Sequence, residues 1–149
     1  HPGVVPELAW GEDSRALAEA FWPGALTVIL EDPTERFPPG IRSREGGVAV
    51  RVSPEALVGA VLTAVREPLV STSANRPGGP PALSGQDALE IARHLGADES
   101  LWVLDGGFLR PSDPSTIVDC SGPVPVVRRP GAIPLNHLRS VIPEIHESV

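Results

Sequence analysis

Short apolar runs rich in β-branched residues alternate with helical segments along this chain, and this alternation constrains the fold most. Strand character is predicted for residues 26–30, 48–52, 69–72, 101–104, 115–119 and 124–128. Helices are predicted for residues 14–21, for a segment that begins at 53–55 and ends near 66, for residues between Ser84 and Gly96, and for 134–142. Because strands alternate with helices and the series ends in a strand pair, we expect an α/β fold with a twisted open mixed sheet and flanking helices.

Composition bounds the class of protein. The 149 residues are 41% hydrophobic, which suits a single domain over residues 1–149 with a sizeable core. No apolar run approaches the ~18 residues of a membrane span, and the single Cys120 fits a reducing cytoplasm. We therefore expect a cytoplasmic protein without membrane association.

The charged residues are unusual, because all cations are arginines and the chain contains no lysine. A net charge of −7 argues against generic nucleic-acid binding, which depends on phosphate contacts. The chain also lacks methionine, and its first ten residues resemble the middle of a domain. We expect a domain that is incomplete at its N-terminus.

Residues 69–81 (LVSTSANRPGGPP) are the richest stretch in polar chemistry. A predicted buried strand leads into Ser71, Ser73 and Asn75 and then into a glycine-rich turn. Ligands of α/β sheets bind beyond the carboxyl ends of strands, where hydroxyls, amides and backbone N–H groups can hold phosphate or ribose. The alternative is that these residues only cap the turn and relieve its strain.

Three arginines are candidate ligand-binding residues. Arg51 stands within a valine strand, where a guanidinium is costly unless it is paired, and it suits bidentate capture of a carboxylate or phosphate. An internal ion pair or a solvated strand face is an equal alternative. Further along, Ser115 precedes a strand, and Arg128 and Arg129 end another. Neighbouring strand residues point to opposite faces, so at most one of these two arginines faces a pocket.

Several kinds of site are excluded by the sequence. The four histidines are scattered, and with one cysteine they give no zinc spacing. No nucleophile elbow, P-loop with its lysine or dinucleotide fingerprint occurs. Cys120 follows a strand and is predicted to be a buried structural thiol.

Five motifs occur in the order and spacing of YrdC-like domains, and together they span roughly residues 15–135. They are FWPGALT (21–27), VAVRVSP (48–54), VSTSANRPGGPP (70–81), STIVD (115–119) and RPGA (129–132). The chain thus resembles the YrdC-like family, whose fold is a twisted open α/β sheet around a positive cavity. The family's Pro-Thr-Glu-Thr-like segment and phosphate-binding Lys-x-Arg motif are absent from this sequence.

The resemblance implies roles for eight residues. The residues implied to bind L-threonine are Arg51, which would bind its carboxylate, Ser71 and Ser115. Those implied to bind ATP are Gly47, Ser73, Asn75, Pro81 and Arg129, with Pro81 contributing only its backbone carbonyl.

The resemblance also implies a nucleotidyltransferase, an L-threonylcarbamoyladenylate synthase. It would make threonylcarbamoyl-AMP from L-threonine, bicarbonate and ATP, with Mg²⁺ carried on the ATP phosphates, for N6-threonylcarbamoylation of adenosine 37 in tRNA. No general base and no protein metal ligand are expected, and this chain alone is expected to have little activity. Partners would be these small molecules and tRNA or the tRNA-modifying complex. The alternatives are a double-stranded RNA- or tRNA-binding module without catalysis, a carbamoyl-adenylate domain of hydrogenase maturation, and a degenerate fragment.

Overall fold

The computed structural model describes residues 5–97 and 101–148. They form α1 (Glu12–Phe21), β1 (Leu26–Glu31), β2 (Gly47–Val50), α2 (Ala56–Val65), α3 (Gly85–His94), β3 (Thr116–Asp119), β4 (Val126–Arg129), α4 (Leu135–Val141) and β5 (His146–Glu147). The strands make one sheet in the order β2-β1-β3-β4-β5. Its pairings alternate between antiparallel and parallel across the sheet, so the predicted open mixed sheet with flanking helices is confirmed.

One face of the sheet is largely apolar, because apolar residues of β1, β2, β3 and β4 on that face are buried in the core. In β1, Leu26, Val28 and Leu30 are fully buried, whereas the residues between them are half-buried. The core formed on this face also includes Leu17 of α1 and Leu138 of α4. The opposite face of the sheet is therefore left for polar chemistry.

Two compact units are distinguishable in the chain. The first comprises residues up to Pro68 and from Asp113 onward, and it contains the whole sheet with α1, α2 and α4. The second comprises residues 69–112 and contains α3 with its flanking loops. Ser84 begins α3 as predicted, because its side chain accepts a hydrogen bond from the backbone N–H of Asp87 at 3.1 Å. Gly96, with φ of +68°, follows the end of the helix.

The strands predicted for residues 69–72 and 101–104 are wrong. Neither run pairs with a strand in the described parts of the chain, and both are exposed, with Val70 at 74% and Trp102 at 97%. An apolar run becomes a strand only where a neighbouring strand can satisfy its backbone groups. The sequence pattern reports apolar character and carries no information about such a partner.

The structure also differs from the prediction at β2, at α2 and in the C-terminal segment. β2 ends at Val50, so Arg51 lies just beyond it. α2 begins at Ala56, because the Ser53 hydroxyl accepts from the N–H of Glu55 in a local turn and does not cap the helix. The C-terminal segment contributes β5, which pairs in parallel with β4. None of the helices within residues 5–97 and 101–148 has the length and apolarity needed to cross a bilayer.

Candidate functional site

Four polar side chains come from four neighbouring segments of the sheet, and we call Arg51, Thr27, Ser115 and Arg129 the polar row. Ile29 of β1 is registered with Ala49 of β2, and the same antiparallel register brings Thr27 beside Arg51. In the parallel β1–β3 pair, Thr27 is registered with Ile117. On its other side, Ile117 is registered with Arg129 in the antiparallel β3–β4 pair. Because side chains two residues apart share a face, Ser115 lies on the same side as Ile117. The polar row therefore occupies one face and one end of the sheet.

Ser115 connects three members of the polar row through hydrogen bonds. Its hydroxyl oxygen lies 2.8 Å from Oγ1 of Thr27. Arg129 donates from Nη2 to the carbonyl oxygen of Ser115 at 2.7 Å and to its hydroxyl at 3.2 Å. The guanidinium is thus held in a fixed orientation although Arg129 is exposed. A fixed, exposed guanidinium is suited to bind a phosphate or carboxylate.

Arg51 is held by the turn that follows α1. Its Nε donates to the carbonyl oxygen of Gly24 at 2.9 Å, and the N–H of Gly24 donates to the carbonyl oxygen of Val52 at 2.9 Å. A side chain at Gly24 would meet the carbonyl oxygen of Phe21 at 2.2 Å, so only glycine fits. Arg51 takes part in none of the ion pairs among the described residues, so the internal ion pair that the sequence left open does not form there, and its exposure agrees with the alternative of a solvated position. Its two terminal nitrogens have no acceptor among the described residues and could bind a ligand.

A second glycine determines the approach of β4 to β3. A Cβ atom at Gly131 would lie 2.3 Å from the carbonyl oxygen of Pro114 and 2.7 Å from the N atom of Thr116. The adjacent N–H of Ala132 donates to the same Pro114 oxygen at 2.9 Å. The turn after Arg129 is therefore pressed against the segment that carries Ser115.

Arg128 and Arg129 have different partners, and a register shift between Ile117 and Val118 interrupts the strand pairing beside them. Arg128 forms an ion pair with Asp119 at 2.9 Å. Burial raises the pKa of Asp119, but hydrogen bonds from Ser121 and then the interaction with Arg128 outweigh it, and the net pKa is lowered. Arg128 is thus paired with Asp119, and Arg129 is the arginine that bonds to Ser115.

Gly47 lies at the opposite end of β2 from Arg51. It is registered with Glu31, and its N–H donates to the hydroxyl of Ser43 at 3.2 Å. A Cβ atom there would meet Cγ2 of Ile29 at 2.7 Å, so packing alone explains the glycine. A contact with ATP at Gly47 stays a prediction.

The predicted nucleotide-binding residues of the second unit lie in a loop that closes on itself. Asn75 and Pro81 form an isolated β-bridge, and the side-chain amide of Asn75 donates to the carbonyl oxygens of Arg76 at 2.9 Å and Gly79 at 3.4 Å. The Ser73 hydroxyl donates to the side-chain oxygen of Asn75. The Asn75 side chain thus shapes the loop, as the turn-capping alternative predicts. Contacts of Ser73 and Asn75 with phosphate stay predictions.

Ser71 and Pro81 are both exposed in the second unit, and their roles also stay predictions.

The residue that sequence reasoning missed is Thr27. Its hydroxyl is hidden within an apolar strand pattern, but it is the last residue of the FWPGALT motif, which could have drawn attention to it.

Two other titratable groups lie outside the polar row. The Cys120 thiol packs against the core, and burial, with the nearby charges of Asp119 and Asp13, raises its pKa to about 12. Asp32 is 2% exposed and accepts hydrogen bonds from the N–H groups of Phe37 at 2.9 Å and Arg36 at 3.1 Å. Burial raises the pKa of Asp32, but these bonds outweigh it and the net pKa is lowered. Cys120 is half-buried, not fully buried as predicted, and Asp32 holds the loop before β2.

The donor groups fit anions better than a protein-bound metal. Within residues 5–97 and 101–148 no group of three or more histidine, cysteine or acidic residues could hold a metal ion. The polar row offers guanidinium and hydroxyl groups, which bind carboxylate and phosphate oxygens.

A family model described as "Telomere recombination", for Sua5, YciO and YrdC proteins, matches residues 5–131. A threonylcarbamoyl-AMP synthase of Bacillus subtilis is 31% identical over 147 residues, which are 97% of this chain and 39% of that protein. One of Chromohalobacter salexigens is 41% identical over 105 residues, 70% of this chain and 54% of that protein. The crystal structure of P. abyssi Sua5 complexed with L-threonine has a TM-score of 0.79 at 31% identity, covering 97% of this chain and 42% of that one. The chain thus spans about half or less of each of these proteins.

Proposed function

Because the chain belongs to the Sua5/YciO/YrdC family, we propose that it acts in the synthesis of threonylcarbamoyl-AMP from L-threonine, bicarbonate and ATP. The product would serve the N6-threonylcarbamoylation of adenosine 37 in tRNA. The observation that carries the proposal is the polar row, which presents two oriented arginines and two hydroxyls on one sheet face. Residues 1–149 would belong to one domain, with tRNA or its modifying complex as the partner of the product.

The reaction needs positioning and charge stabilisation more than a protein nucleophile. The amine of threonine attacks bicarbonate, and loss of water gives a carbamate. A carbamate oxygen then attacks the α-phosphorus of ATP, and the bond to the β-phosphate oxygen breaks to release pyrophosphate. Guanidinium and hydroxyl donors stabilise the oxyanions of such a transition state without a general base.

Three members of the polar row have a proposed role in binding. The free terminal nitrogens of Arg51 bind the threonine carboxylate, and Ser115 contacts the same amino acid. Arg129, held by Ser115, binds the nucleotide. Because the described residues offer no acidic cluster, Mg²⁺ would be carried on the phosphates of ATP and no step depends on a protein ligand to it.

The first test is calorimetric titration of the chain with Mg²⁺-ATP, with and without L-threonine. Nucleotide binding that L-threonine strengthens would support the proposal. No binding by a folded chain would contradict it for these residues. Salt-dependent tRNA binding without nucleotide binding would favour the RNA-binding alternative, and nucleotide binding that is independent of threonine would favour the carbamoyl-adenylate alternative.

Arg51→Ala tests the carboxylate assignment. We expect L-threonine binding to weaken by about 1–3 kcal/mol, the range for a hydrogen bond to a charged group. The matched control is Arg44→Ala, which removes an exposed arginine from the loop before β2. Unchanged threonine affinity in a folded Arg51→Ala variant would contradict the assignment.

A further inference from the structure

We infer that Thr27 is a positioning residue that orients the Ser115 hydroxyl toward the amino-acid substrate, an inference that rests on the proposed function. Thr27 is registered with Ile117 and lies 2.8 Å from the Ser115 hydroxyl oxygen. Its strand neighbour on the other side is the segment that ends in Arg51. Thr27 therefore lies between the two residues assigned to threonine.

The donors and acceptors of this cluster support such a role for Thr27. Arg129 can only donate, so the Ser115 hydroxyl accepts from it at 3.2 Å. Thr27 and Ser115 share one further hydrogen bond, which uses one of their two hydroxyl protons. Within residues 5–97 and 101–148 neither hydroxyl has another acceptor. Either oxygen can be the donor in this bond; the inference assigns the donor to Thr27, which leaves the O–H of Ser115 for a ligand.

That remaining donor has a defined direction because the other bonds of the pair are occupied. An oriented O–H beside the Arg51 guanidinium suits an acceptor on the same small molecule, such as a carboxylate or hydroxyl oxygen. Without Thr27, the Ser115 hydroxyl would be held by Arg129 alone and would lose orientation. The side chain of Thr27 thus acts on the substrate through Ser115.

The test replaces the hydroxyl while keeping the shape of the side chain. Thr27→Val should weaken L-threonine binding, measured in the presence of Mg²⁺-ATP, by about three- to tenfold, as expected for loss of one hydrogen bond. Thr27→Ser, which restores the hydroxyl, should recover most of the affinity. The control is Thr63→Val, which removes a hydroxyl that bonds to Gly59 on the exposed α2 and should have no effect.

A double mutant separates positioning from a general structural effect. In a Ser115→Ala background, Thr27→Val should cause no further loss, because it acts through Ser115. Wild-type affinity in a folded Thr27→Val variant, or a full loss that persists in the Ser115→Ala background, would overturn the inference. If the unaltered chain does not bind L-threonine, the proposed function itself fails, and this outcome is visible before any variant is measured.

Discussion

Gly131→Ala should separate β4 from the segment that carries Ser115. The added Cβ atom would lie 2.3 Å from the carbonyl oxygen of Pro114, and Cβ atoms are essentially never found closer than 3.0 Å to a heavy atom of a residue that is not their chain neighbour. The turn must therefore move by about 0.7 Å, the difference between these two distances. The obstacle is backbone, with Ser115 C and Thr116 N also at 2.7 Å, so no side chain can rotate away to relieve the contact.

The same movement would weaken the hydrogen bonds across this junction. The bond from Ala132 N to the Pro114 oxygen is 2.9 Å, and that from Arg129 Nη2 to the Ser115 carbonyl is 2.7 Å. A shift of this size brings the first beyond hydrogen-bonding distance and the second close to the limit. We expect a loss of about 1–3 kcal/mol in the free energy of unfolding, the usual cost of overpacking. For a domain of this size that is a fall in Tm of roughly 2–12 °C.

Thermal unfolding followed by circular dichroism measures the loss, and calorimetry with Mg²⁺-ATP measures its effect on the nucleotide assigned to Arg129. The matched control is Gly122→Ala, in the connection between β3 and β4, where an added Cβ atom would meet nothing within 4 Å. If the two variants had the same Tm, the close approach at Gly131 would have no energetic consequence and the reasoning would be refuted.

Two further predictions concern titratable groups. Because its pKa is raised to about 12, Cys120 should react slowly with a thiol-specific reagent at mildly alkaline pH and much faster in denaturant; rapid reaction in the folded state would contradict this assignment. Because the pKa of Asp32 is lowered, its carboxylate stabilises the fold above the ordinary value of 3.8, and this contribution is lost as the pH falls below it. The Tm of Asp32→Asn should therefore be lower than that of the unaltered chain at neutral pH and approach it in acid; a constant difference would show that the charge does not matter.

The fold class could be predicted because the strands of the sheet are marked by local signals. Residues 26–30 and 115–119 combine β-branched residues with alternating burial, and Ser84 carries a helix cap in its own side chain. The failures at 69–72 and 101–104 have the opposite cause. These runs have the same apolar composition, but strand formation depends on a pairing partner elsewhere in the chain.

The candidate site could be predicted only in part. Arg51 and Arg129 are conspicuous because a guanidinium beside apolar strands requires a partner. Thr27 gives no such signal, since threonine is a common strand residue and its role depends on Ser115, which lies 88 positions away in the sequence. The choice between Arg128 and Arg129 likewise depended on the position of Asp119 across the strand pair.

The turn at Gly24 has a consequence for local motion. Its N–H and carbonyl groups both bond to the segment of Arg51 and Val52, and its lack of a side chain lets it approach the end of α1. Fraying of this turn would therefore release the Arg51 guanidinium in the same event, since the two share their hydrogen bonds. A ligand bound to Arg51 would oppose that opening. The amide of Gly24 should then exchange with deuterated solvent more slowly when the ligand is present. The exchange rate of Gly24 would therefore measure ligand binding at Arg51, although Gly24 itself need not contact the ligand.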